Sequence, residues 1–150
     1  MKRVISSAKE WTDMVGEELG VSEYLQINQE IINEFAHATG DTQWIHTDPE
    51  KAKTESPFKA TIAHGYLTVS LIPTLLDQLY EYNANMTINY AIEKIRFNQA
   101  VVVDSSVRLR VTVNEAKNLR GTLKLTLGVT LEIKDQRKPA YTGEVVFLYQ

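Results

Sequence analysis

The chain predicts an α+β fold in which a curved antiparallel sheet wraps around a long central helix. Three observations carry this. Helical periodicity dominates the first half and two-residue alternation the second, an order that separates helices from strands. The segment after Gly65 is the most apolar helical run in the chain, and the strand-like runs that follow are joined by short connections.

Taken in order, Ser7–Leu19 reads as a helix, with Ser7 and Glu10 spaced as a capping box and Gly20 as its stop. Asn28–Thr39 reads as a second helix, capped by Asn28, with Ile31, Phe35 and Ala38 on one face and Gly40 as terminator. Asp48-Pro49 opens a short third helix as N-cap and first-turn proline. After Gly65, the leucines at 67, 71, 75 and 79 recur in steps of four beside Ile72, Leu76 and Tyr80, a stripe wide enough to bury the helix on most sides. Pro73 inside this run is expected to kink it or split it in two. From Thr87 the period becomes two: Ile88, Tyr90 and Ile92; Val107 to Val113; Leu123 to Ile133; and, after a turn at Asp135 to Pro139, Val145 to Tyr149. Four strands are expected.

The bulk numbers narrow the function. A chain of 150 residues, 43% hydrophobic and 23% charged, is expected to form a single domain over 1–150. A formal net charge of −3 gives no footprint for nucleic acid. With no cysteine there is no disulfide, thiolate metal site or cysteine nucleophile, as fits a reducing compartment. The N-terminus lacks a signal-peptide apolar core, and no window approaches the ~20 apolar residues of a membrane span. A soluble, cytoplasmic protein without a membrane partner is expected.

Chemistry concentrates between Phe35 and Ser70. Asp41 and His46 stand five residues apart in what reads as a tight polar loop, and a second loop ends in His64-Gly65 directly before the apolar helix. Singly, each is ordinary: Asp is common in turns, a lone histidine near Trp44 and Ile45 is commonly a packed residue, and His-Gly is commonly a loop-to-helix junction. Together they combine an acid–base imidazole, a carboxylate that favours its protonated form, and unpaired helix-start amides suited to an oxyanion. His37 reads as a mid-helix residue. Lys51, Lys53 and Lys59 read as a solvated surface that could also meet coenzyme phosphates. Three histidines without metal-ligand spacing predict no metal site.

The run Phe35 … Gly40-Asp41-Thr42-Gln43-Trp44-Ile45-His46, followed by Ile62-Ala63-His64-Gly65-Tyr66-Leu67, resembles the two signature blocks of the MaoC-like dehydratases, which include the R-specific enoyl-CoA hydratases. Gln43-Trp44, in place of the family's Asn-Pro, is closer to the nodulation protein N-like branch. The resemblance implies a hotdog fold and a homodimer whose sheets join edge to edge. It implies Asp41 and His46 as the catalytic pair and the Gly65 amide as oxyanion donor. Gln43, Trp44, His64 and Tyr66 are candidate substrate contacts beside them. The expected reaction is reversible addition of water to a trans-2-enoyl-CoA, giving an R-3-hydroxyacyl-CoA. Asp41 would take a proton from water and His46 would supply one to the α-carbon. The thioester would be carried on coenzyme A or an acyl carrier protein, with no separate cofactor. A hotdog acyl-CoA thioesterase and a non-catalytic acyl-CoA-binding module are the alternatives.

Overall fold

The computed structural model describes residues 1–150. Strand β1 (Arg3–Ile5) leads into helix α1 (Ala8–Asp13), where the Ser7 hydroxyl accepts from the Glu10 amide and the Glu10 carboxylate accepts from the Ser6 amide. The capping box predicted at the start is present, but the helix stops at Asp13, not Leu19. Gly16, at φ 91°, turns the chain, and Glu18–Val21 becomes strand β2. Leu19 is buried by sheet packing rather than helix packing, since β2 pairs antiparallel with a later strand. Strand β3 (Leu25–Gln26) follows.

Helix α2 (Gln29–Thr39) has the predicted ends: the Asn28 side chain accepts from the Ile31 amide, and Gly40 closes it at φ 81°, a left-handed position that glycine adopts without strain. Its buried face is set by Ile32 and Ala36, whereas Ala38, predicted to share the apolar face, is exposed. The stretch read as a loop contains one helical turn, α3 (Trp44–Thr47), followed by α4 (Pro49–Glu55), whose cap Asp48 accepts from the Lys51 amide.

The central helix is split. Helices α5 (Gly65–Ser70) and α6 (Ile72–Leu76) meet at Leu71, with Pro73 in the first turn of α6 where its missing N–H leaves nothing unpaired. Helix ends at Leu76; Leu79 lies in the turn beyond, and Tyr80 begins strand β4 (Tyr80–Tyr82), which pairs parallel with β1. The long strands follow: β5 (Thr87–Phe97), β6 (Ser106–Leu119), β7 (Thr122–Ile133) and β8 (Tyr141–Tyr149). They order as β2-β6-β7-β8-β5, with β3 also on β6, in one antiparallel sheet.

Eight strands therefore replace the four predicted; the four missed are two to four residues long and carry no period. The alternation on β6 and β7 is followed closely, with Val107, Leu109, Val111, Val113, Leu125, Leu127 and Leu131 all buried. These residues join Leu67, Ile72, Leu75 and Leu76 of the split helix in one core cluster of 28 buried residues. The Tyr141 hydroxyl donates to the Thr68 carbonyl at 3.1 Å, fastening sheet to helix where the polar atom would otherwise be stranded. Strand β5 differs. Tyr90 and Ile92, part of the predicted alternation, are 58% and 61% exposed, and the strand pairs only with β8, leaving its other edge bare.

Candidate active site

Gly40 reverses the chain at the end of α2 and sets Asp41 in the short link to α3. There the Asp41 carboxylate accepts from the Gln43 amide at 3.4 Å, a loose side-chain turn that leaves it exposed. One helical turn later His46 is 7% exposed. The α3 backbone is held to the segment before α5 by the Ile62 amide, which donates to the Ile45 carbonyl at 3.0 Å. That segment is in turn pinned to the sheet side, where the Ala63 amide donates to the Val101 carbonyl at 2.8 Å. His64, 2% exposed, then caps α5, and Gly65 is its first residue.

These connections bring Asp41, His46, His64 and Gly65 to one cavity of about 430 Å³, lined also by Tyr66, Phe97, Asn98 and Gln99. One ring nitrogen from each histidine and one carboxylate oxygen of Asp41 lie within 4.8 Å of one another. The predicted pair and the predicted amide thus share a cavity. Tyr66 lines it too and is 78% exposed. Gln43 and Trp44, proposed as substrate contacts, do not line it: the turn of α3 directs them elsewhere, and Trp44 packs beneath the Lys51 ammonium, 4.7 Å from its ring centre. His37 is exposed on α2 and away from the cavity. Phe97, Asn98 and Gln99 went unnoticed in the sequence because they arrive from the far end of β5.

Hydrogen bonding fixes the protons. His46 Nδ1 lies 2.7 Å from the Ile62 carbonyl; a carbonyl only accepts, so Nδ1 carries the hydrogen and, in the neutral ring, Nε2 keeps its lone pair. Burial lowers the His46 pKa below the usual histidine value. The Ile62 bond and the Asp41 charge oppose that shift, and His64 adds to it. His46 is accordingly a neutral base with one free nitrogen. His64 is bonded the other way round, with Nε2 donating to the Asp41 main-chain carbonyl at 2.9 Å.

The same trio clusters as metal ligands do, but its geometry argues against a shared cation. The His46 and His64 rings stack with centroids 3.8 Å apart and planes 23° apart. An imidazole holds a cation in its own plane at about 2.0–2.1 Å, and two stacked planes share no such point. The amides of the first turn of α5 have no carbonyl a turn earlier to donate to, which leaves that of Gly65 able to serve a ligand. A Cβ at Gly65 would lie 2.9 Å from the Phe97 ring, so the cavity wall is closely fitted there.

A broken central helix wrapped by an antiparallel sheet, with a carboxylate, an imidazole and a helix-start amide around one cavity, defines a hotdog-fold dehydratase domain. Residues 10–134 match the family described as MaoC like domain, and the chain belongs to that family. It is 40% identical over 149 residues to 3-hydroxyacyl-thioester dehydratase Z of Mycobacterium tuberculosis, covering 98% of each chain. It is 37% identical to Nodulation protein N of Rhizobium meliloti, covering 96% of this chain and 91% of that one. Among solved structures it superimposes on the unliganded R-hydratase PhaJ1 of Pseudomonas aeruginosa with a TM-score of 0.73 at 23% identity, covering 90% of this chain and 81% of that one. The enzyme class these relatives indicate is that of the hydro-lyases.

Proposed function

We propose that the protein is an R-specific enoyl-thioester hydratase, reversibly adding water to a trans-2-enoyl-CoA to give an R-3-hydroxyacyl-CoA. The observation that carries this is the convergence of Asp41, His46 and Gly65 on one cavity. The R stereochemistry rests on family resemblance.

The division of labour favoured by the protons differs from that expected from sequence. With Nδ1–H committed to Ile62, neutral His46 has no proton at Nε2 to give; it has a lone pair. His46 Nε2 therefore takes a proton from water, while the Asp41 carboxylate accepts a hydrogen bond from the water's remaining O–H and steadies the imidazolium as it forms. The resulting hydroxide adds to the β-carbon, and the electron pair of the double bond moves through the α-carbon onto the thioester oxygen. The Gly65 N–H donates to that oxygen as charge develops. The imidazolium then returns its proton to the α-carbon on the same face, so water is added across the bond and His46 is neutral again. Nothing in this sequence needs a cofactor; coenzyme A belongs to the substrate, and an acyl carrier protein could present the same thioester.

The test uses purified protein and crotonyl-CoA, following loss of the conjugated thioester absorbance. Asp41→Asn and His46→Gln should each lower kcat by on the order of 10²–10⁴ with the fold retained. An inert wild-type protein, or two variants of near-normal activity, would overturn the assignment. Release of free thiol from a saturated acyl-CoA would instead assign a thioesterase, and ligand binding without either reaction a binding module.

We also propose a homodimer formed along β5. Its outer edge is unpaired, and Met86, Tyr90, Ile92 and Phe97 leave a large apolar surface beside it, 48% to 61% exposed.

A further inference from the structure

Resting on the hydro-lyase reading, we propose that His64 is a positioning residue: its Nε2–H fastens the Asp41 main chain to the start of α5 while its ring face braces His46, so that carboxylate and imidazole address the same water.

The Asp41 carboxylate needs such support because its own ties are weak. Its carboxylate accepts from the Gln43 amide at 3.4 Å, and its amide donates to the Thr39 hydroxyl at 3.4 Å, both within the same loop. The bond from His64 to the Asp41 carbonyl is shorter, 2.9 Å, and reaches across 23 residues. His64 can serve as a strut because it is itself immobilised. It is 98% buried by its 2% exposure, stacks on His46 at 3.8 Å and meets the Phe35 ring of α2 at 4.9 Å on a 55° tilt. Since Nε2 donates, Nδ1 of the neutral ring is a bare acceptor, and it is buried with no hydrogen-bond partner. A histidine kept for packing alone would be replaced by an apolar ring without leaving an acceptor unpaired; this one retains a polar ring whose N–H serves the Asp41 loop.

The stack has an electrostatic consequence. The ionisable groups that act on His46 are His64, across the ring faces, and Asp41, at the cavity; the other α3 residues, Trp44, Ile45 and Thr47, carry no charge. Burial and, across the stack, His64 together lower the His46 pKa, against the Ile62 hydrogen bond and the pull of Asp41.

Two substitutions separate the strut from the brace. His64→Gln keeps an N–H near the Nε2 position and removes the ring; His64→Phe keeps a ring and removes the donor. His64→Phe is expected to lower kcat on crotonyl-CoA by roughly 10–100-fold, as misplacement on the ångström scale does, with KM and Tm close to wild type. His64→Gln should restore kcat to within a few-fold. In both, the His46 imidazole signals followed by NMR should titrate at higher pH than in the wild type, because the opposing neighbour is gone. Wild-type kcat in His64→Phe, equal losses in both variants tracking a lower Tm, or an unmoved His46 titration would each overturn the proposal. A wild-type protein inert towards crotonyl-CoA would sink the hydratase reading instead, and the NMR arm would still decide the brace.

Discussion

The two nitrogens of His46 are chemically unequal, and that inequality sets how the site should respond to pH. Nδ1 donates to Ile62, which leaves Nε2 as the lone-pair nitrogen of a cavity-lining ring, so only the neutral ring can take a proton from water. Burial, with His64, places the His46 pKa below its ordinary value of about 6.5. A base with a lowered pKa is active above that pKa and lost as pH falls through it. The kcat/KM profile for crotonyl-CoA hydration should therefore hold level through neutrality and drop on an acidic limb lying below 6.5, measured from initial rates across pH 4–9 (a range of about 2.5 units either side of 6.5). At this scale the sequence is informative where partners are close along the chain: Asp41, His46, His64 and Gly65 all fall between the end of α2 and the start of α5, and their types announce their chemistry. It was silent on Asn98 and Gln99, which reach the cavity only because β5 pairs with β8 and ends beside α5. Gln43 and Trp44 lie outside the cavity although they adjoin His46 in sequence, because the turn of α3 points neighbouring side chains in different directions.

Elements were legible in proportion to their length. The β6 and β7 alternation is legible because each repeats many times, and α2 because both its caps are explicit. The end of α1 is hidden in the sequence because Met14, Val15 and Leu19 continue an apolar pattern that Gly16 interrupts only through its backbone angle. Strands β1 to β4 are too short to show any period, and their pairing is decided by tertiary contact. The β5–β8 pair carries a feature of its own: the register slips between Glu93 and Arg96, and Lys94 takes a left-handed φ of 58°. Gly143 sits opposite this irregularity, where a Cβ would lie 2.5–2.9 Å from Ile95 side-chain and backbone atoms. Backbone cannot yield as a flexible side chain does. Gly143→Ala should therefore destabilise the fold by about 1–3 kcal/mol in urea unfolding, with an unchanged m-value.

For the whole molecule, the central question is what meets β5. The buried faces of the other long strands are satisfied by the α5–α6 helix and its neighbours, whereas β5 offers an unpaired edge together with exposed Tyr90 and Ile92. Ile92 is 61% exposed in the isolated chain, so Ile92→Lys should leave the circular dichroism spectrum intact. In sedimentation it should halve the mass of the dimer proposed for the wild type; a monomeric wild type would refute that assembly. The two tryptophans give the molecule a further property. Trp11 is fully enclosed, meeting Tyr80 and Tyr82 edge-on at 4.9 and 6.0 Å, while Trp44 is half-buried on the same helical turn as His46. One indole thus samples the interior and the other the α3 turn beside Lys51. Their fluorescence separates melting of the core from local movement of the short helix that carries His46, without any dye.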